Sequence, residues 1–86
     1  TYTVSRGEQV LELPKKEFEL LYKLLSYPGQ IFTRNQLLDD IWGFDSESGE
    51  DTVKTHISRL RNKLRSIEEF RIITIKGLGC KAEVLE

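Results

Sequence analysis

The sequence predicts a small α+β domain in the order strand, strand, helix, helix, helix, strand, strand. Three observations carry that reading: apolar-alternating runs at both ends, a change to helical period between them, and prolines and glycines that fall at the boundaries. With 86 residues, 38% of them hydrophobic, there is room for one modest core and no second domain. A single unit spanning residues 1–86 is expected.

Tyr2-Thr3-Val4-Ser5 and Gln9-Val10-Leu11-Glu12-Leu13 form the first strand pair, with Arg6-Gly7-Glu8 as the turn. From Pro14 the pattern becomes helical. Phe18, Leu21 and Leu25 make a stripe that Leu20 and Leu24 widen, while Lys15, Lys16, Glu19 and Lys23 are polar. Pro14 suits the first helical turn, where its missing N–H needs no partner, and Pro28-Gly29 ends the helix. Thr33-Arg34-Asn35-Gln36 matches a capping box, in which the threonine oxygen and the glutamine side chain each satisfy a backbone N–H. A second helix follows, with Leu37, Leu38, Ile41 and Trp42 on one side and Gly43 as its stop.

Phe44 to Gly49 reads as an acidic loop, after which Asp51 or Glu50 can cap a third helix, from about Asp51 to Arg65. Its core stripe is Val53, Ile57, Leu60 and Leu64. Thr52, Thr55, Ser58, Arg59 and Asn62 point away, and Lys54, Arg61, His56 and Lys63 flank the stripe. Arg71 to Lys76 and Cys80 to Val84 then form a second hairpin around Gly77-Leu78-Gly79.

The formal net charge is -1, but it is segregated. Thr1 to Asp51 carries five Lys/Arg against ten Asp/Glu, and Thr52 to Lys81 carries eight against two; two further acids lie in the last five residues. A basic segment on an acidic body is the electrostatic footprint of a domain that turns one face to phosphate. Single residues exclude other chemistries. Cys80 has no second cysteine for a disulfide or a zinc site, and His56 has neither a metal-ligand set nor catalytic partners. Cys80 reads as a small strand hydrophobe, although Lys76 and Lys81 nearby offer a way to lower its pKa. Gly77-Leu78-Gly79 is too short for a dinucleotide fingerprint, and Asp39-Asp40 reads as a solvated helix face. No apolar run is long enough to cross a bilayer and no signal peptide opens the chain, so a soluble, cytoplasmic protein without membrane attachment is expected.

The outward face of the third helix is informative, because no acid falls between Asp51 and Glu68. An α-helix fits the major groove, where Arg can donate two bonds to guanine, Asn can pair with adenine and Thr methyls can touch thymine. A competing reading, a protein-interaction module without DNA affinity, would show an acidic or apolar face there.

Five blocks carry a family resemblance: Glu17-Phe18-Glu19-Leu20-Leu21, Pro28 to Arg34, Leu37-Leu38 to Ile41-Trp42-Gly43, Thr52 to Arg61, and Ile75 to Gly79. In this order and spacing the chain resembles the OmpR/PhoB winged-helix output domain of bacterial two-component response regulators, over nearly its whole length. The resemblance implies a winged helix-turn-helix that regulates transcription and is not an enzyme, with no cofactor. It places the third helix in the major groove and the C-terminal hairpin, about Arg71 to Val84, as a wing at the adjacent minor groove. Thr52, Thr55, Arg59 and Arg61 match recognition-helix contacts. His56 and Ser58 match positions near backbone or base edges, Arg34 a phosphate contact, and Thr74 and Lys76 the wing's contacts. Trp42, Phe44, Asp45 and Glu47 match the loop that meets RNA polymerase. Implied partners are double-stranded DNA with direct-repeat sites, RNA polymerase, a phosphorylatable receiver domain upstream and a sensor histidine kinase.

The chain departs from the family pattern at four positions. Pro14 stands where a threonine cap is usual, Lys54 where a base-facing acid is common, Asp51 where a basic residue often precedes the Thr-Val pair, and Cys80 where tyrosine usually follows the wing glycine. The N-terminal sheet is expected to be truncated, with two of four strands, so the chain reads as a fragment of a longer regulator.

Overall fold

The computed structural model describes residues 2–6, 8–43 and 49–85. The expected turn residue Gly7, and Phe44, Asp45 and Glu47 of the acidic loop, lie outside them.

Strands β1 (Tyr2–Arg6) and β2 (Gln9–Leu13) pair antiparallel from Tyr2 opposite Leu13 to Arg6 opposite Gln9. Leu13 is buried and delivers the chain into α1 (Lys15–Ser26). Pro14 sits just outside the first turn rather than in it. Its ψ of 152° is extended, while its carbonyl accepts the first helical bond from Phe18 N–H at 2.9 Å. The expected apolar stripe of α1 is correct in kind, but its deepest members are Leu20, Leu21 and Leu24, with Phe18 and Leu25 half-buried. Glu17 lies on that buried face too, where sequence period alone gives a carboxylate no reason to be.

After the turn at Pro28-Gly29, where Gly29 N–H donates to the Ala82 carbonyl at 2.7 Å, comes a strand the sequence did not announce. β3 (Phe32–Thr33) has only two residues. Thr33 then begins the capping box as expected: its Oγ1 accepts from Gln36 N–H at 3.1 Å, and its own N–H donates to Gln36 Oε1 at 2.8 Å. The second helix differs from expectation in its winding. A single turn of α2 (Arg34–Leu37) passes into a π-helical segment, Leu38–Trp42, which ends where Gly43 N–H reaches back five residues to the Leu38 carbonyl at 3.1 Å. Lys16 Nζ on α1 donates to the Ile41 carbonyl at 2.6 Å, supplying a partner to a backbone group of this wider coil. Gly43 takes a φ of 90°, the left-handed region that favours glycine.

Helix α3 (Glu50–Lys63) corrects two expectations. Its cap is Gly49, with no side-chain bond, rather than Asp51 or Glu50, which both lie inside the helix. It also stops two residues before Arg65, because Leu64 at φ -93°, ψ 6° leaves helical geometry and the chain turns at residues 64–66. The predicted core stripe holds throughout: Val53, Ile57, Leu60 and Leu64 are all buried. Each such aliphatic side chain stabilises the fold by about 1.5–3 kcal/mol relative to exposure.

The C-terminal hairpin is β4 (Phe70–Ile75) and β5 (Gly79–Val84), paired from Phe70 opposite Val84 to Ile75 opposite Gly79. Its tip is the turn 76–78, with Gly77 at φ 77°. β3 adds to the outer edge of β5, with Phe32 opposite Cys80 and Thr33 opposite Gly79. The expected hairpin is therefore two strands of a three-stranded sheet in the order β3-β5-β4. The whole is an α+β winged helix-turn-helix, and Ile72, Cys80 and Ala82 pack from the sheet into the helical core.

Candidate nucleic-acid interface

Once the apolar stripe is buried, α3 has an outer face and two flanks. The outer face shows Thr55, Ser58, Arg59 and Asn62, all exposed. These four side chains supply donors, acceptors and one methyl, which is the repertoire that base edges require.

On one flank, residues 54, 58 and 61 follow i, i+4, i+7 spacing and so lie along one side of the helix. This flank faces the hairpin. The two-residue pleat puts Thr74 on the same face of β4 as the buried Ile72, one step beyond the edge of the core. There Arg61 reaches it, with Nη1 3.4 Å from Thr74 Oγ1. Between helix and hairpin lies a cleft of about 120 Å³, lined by Arg34, Lys54, Ser58, Arg61, Thr74 and Cys80 together with Ile57 and Gly79. The structure thus brings four expected site residues, Arg34, Ser58, Arg61 and Thr74, to one place. Lys54, noted in the sequence only as a departure from pattern, joins them. The 54, 58, 61 spacing was the available signal; what it faces depends on tertiary packing.

The opposite flank serves the interior. His56 is half-buried, its Nδ1 is 2.7 Å from the Thr52 carbonyl, and its ring meets Trp42 edge-on at 5.0 Å between centroids. Lys16 Nζ lies 5.9 Å from the centroid of the Trp42 ring. Lys63 donates to Glu17 Oε1 at 2.8 Å. Thr52 and His56 are therefore apart from the Arg61 group, on the side of α3 that packs toward the π-helical segment and α1. Lys76 occupies the hairpin tip and is exposed.

Cys80 is the small strand hydrophobe that the sequence suggests, and its thiol is not activated. Burial pushes its pKa up from 9.0 to about 11, and the Arg34 charge only partly opposes this. Lys76 and Lys81 do not activate it; Lys81 is engaged with Glu83 at 3.1 Å. Cys80 is a core residue, 1% exposed, at the floor of the cleft.

Among the described residues no cluster of three or more His, Cys, Asp or Glu is arranged to hold a metal ion, and no helix is long and apolar enough to cross a membrane.

Comparison with known proteins agrees with this geometry. The model of the family described as transcriptional regulatory protein, C terminal, matches residues 7–81. The heme response regulator HssR of Staphylococcus saprophyticus is 44% identical over 81 residues, which are 93% of this chain and 36% of that protein. The chain thus spans about a third of the length of that curated relative. Two solved structures are similar in fold and contain DNA. The DNA-binding domain of response regulator AdeR, in complex with an intercistronic region, superposes with a TM-score of 0.81 at 28% identity, covering 99% of this chain and 88% of that one. The RstA DNA-binding domain of Klebsiella pneumoniae, in complex with the RstA box, gives 0.78 at 31% identity, covering 94% and 82%.

Proposed function

Because the chain belongs to the transcriptional regulatory protein, C-terminal family, as a response-regulator DNA-binding domain, we propose that α3 lies in the major groove of double-stranded DNA and the β4–β5 hairpin reaches the adjacent minor groove. One observation carries the reading. α3 buries a complete apolar stripe and presents an outer face of Thr55, Ser58, Arg59 and Asn62, beside a hairpin that Arg61 bridges at Thr74.

In this pose Arg59 and Thr55 read base edges, with Ser58 beside them. Thr52 and His56 approach the backbone on the flank nearer Trp42, Arg34 and Arg61 hold phosphate, and Thr74 and Lys76 make the wing's contacts. Trp42, Phe44, Asp45 and Glu47 are the residues we assign to the surface for RNA polymerase. A longer cytoplasmic regulator would carry a receiver domain upstream, phosphorylated by a sensor histidine kinase, and pairing of two such receivers would favour direct-repeat sites through effective concentration.

Selection of binding sites from random duplexes, followed by affinity measurement over a range of salt, tests the proposal. A selected half-site is expected, with affinity falling linearly on a log–log plot against salt. Failure to enrich any sequence, with no salt-dependent retention on DNA, would overturn it in favour of a protein-interaction module.

A further inference from the structure

We propose that Lys16, which lies on α1 and not on the outer face of α3, is a positioning residue for DNA recognition: it acts through Trp42 to hold the turn of α3 that runs from Thr52 to His56. The inference rests on the reading that α3 docks on DNA with Thr52 and His56 near the backbone. It assigns the setting of that turn to a residue outside the interface.

The Leu38–Trp42 segment stops at Gly43, so the Ile41 carbonyl belongs to its last turn, where no later N–H of the same helix can reach it. Lys16 Nζ donates to that oxygen at 2.6 Å, which puts a cation at the negative end of the helix. The same ammonium lies 3.8 Å from Glu19 Oε2 and 5.9 Å from the centroid of the Trp42 ring. Its N–H groups therefore have a carbonyl, a carboxylate and an aromatic face to meet. A lysine that served only the surface of α1 would need no more than Glu19, its i, i+3 neighbour. Lys16 instead grips Trp42 twice, at the ring and at the peptide group that precedes it.

Trp42 passes the constraint on. Its ring meets His56 edge-on, with 5.0 Å between centroids and 75° between planes. His56 Nδ1 lies 2.7 Å from the Thr52 carbonyl, and since a carbonyl only accepts, Nδ1 carries a proton and donates it to that bond. The imidazole is thereby held at two points, one on its own helix and one on Trp42. α3 supports this turn little by itself, because its cap, Gly49, has no side chain to bond the first turn. Val53 anchors the helix axis in the core, but Thr52 and His56 lie on the flank that packs toward Trp42. Helical segments with five-residue hydrogen-bond spacing are rare and recur at functional sites; here the wider coil sets where the Trp42 ring lies, and Lys16 holds the open end of the coil.

The test is a double-mutant cycle on the 86-residue chain with the selected duplex. Lys16→Gln removes the charge. Lys16→Met, of similar length and without donors, serves if the glutamine variant does not fold, and Lys16→Arg keeps both charge and donors. Trp42 is the one tryptophan of the sequence, so its fluorescence and its indole N–H resonance report the ring directly. In the neutral variants both signals should move, the His56 ring protons should move with them, and affinity should fall about three- to tenfold. Lys16→Arg should restore most of that loss. In a His56→Ala background the neutral substitution should have no further effect, whereas with Arg59→Ala the two losses should multiply. A loss that multiplies equally with both, or an unchanged affinity despite a shifted Trp42 signal, would overturn the proposal and leave Lys16 a residue of stability alone. If the parent chain bound no duplex, the docking reading would fall and Lys16's part in recognition with it. If the parent bound while the Trp42 and His56 signals stayed still in the neutral variants, the proposal alone would fall.

Discussion

Lys63 Nζ stands 2.8 Å from Glu17 Oε1, and Glu17, at 2% exposure, is the buried charged residue of the core among those described. One of the eight cations in the basic segment is therefore turned inward, pinning the last turn of α3 to α1. Lys63→Ala should destabilise the domain by about 1–3 kcal/mol, because the buried carboxylate loses its partner. Replacing both residues by leucine should recover part of that loss, since no desolvated charge remains. Urea unfolding of the single and double variants measures both. A double variant less stable than Lys63→Ala would show that the pair is worth more than the packing that replaces it.

Gly79 is fixed by a close crossing. A Cβ there would collide with the Phe32 carbonyl oxygen and come within 2.9 Å of the Thr33 Cα, both of them backbone atoms that cannot swing aside. Gly79→Ala should cost about 1–3 kcal/mol through overpacking, lowering the melting temperature by about 5–20 °C for a domain of this size. Calorimetry checks this, and amide exchange at Cys80 and Thr33 should accelerate first.

Arg59 and Lys76 should separate when mutated. Arg59 projects from the outer face of α3, so Arg59→Ala should cost about 1–3 kcal/mol in DNA binding and relax preference at one base pair. Lys76, at the hairpin tip, should weaken all sequences alike when changed to alanine and flatten the salt slope by about one unit. Binding to the selected site and to its single-base variants over a salt series is the measurement. An Arg59→Ala variant that weakens every sequence equally, with Lys76→Ala altering base preference, would show the docking to be wrong.

Cys80 should be chemically quiet in the folded chain. With its pKa raised to about 11, alkylation at pH 8 should run about a hundredfold slower than for an exposed thiol and recover in denaturant. The sign for stability follows from the same shift. Between 9.0 and about 11 the unfolded thiol ionises while the folded one keeps its proton, so this contribution is present below pH 9 and is lost as pH rises through that window. Alkylation rates and unfolding curves from pH 7 to 11 test both.

The parts of the fold set by local chemistry were legible in the chain. The stripe Val53, Ile57, Leu60, Leu64 follows from helical period, and the Thr33–Gln36 capping box is reciprocal between side chains three residues apart. Both hairpins could be read from alternation. β3 could not, because two residues carry no period and their pairing partner is 46 or more positions away. The π-helical winding of Leu38–Trp42 leaves no compositional mark; it is accompanied by a bond from Lys16 on another helix. The same limit applies to the site. The outer face of α3 was visible as a pattern, but the placing of Lys54 with Arg34 and Thr74, and of His56 against Trp42, depends on how separate elements approach.

Thr33 ends one element and begins another: its backbone pairs with Gly79 of the hairpin, and its side chain closes the cap of α2. The wing therefore cannot swing independently of the helices without breaking either a strand pairing or a helix cap. Mechanically the hairpin and the helical core form a caliper with a fixed gauge, its jaws held by Thr33 and by the packing of Ile72, Cys80 and Ala82 into the core. A duplex whose groove width does not match that gauge must itself deform to be gripped, so that part of the discrimination between sequences is exercised through the stiffness of the DNA at steps no side chain touches.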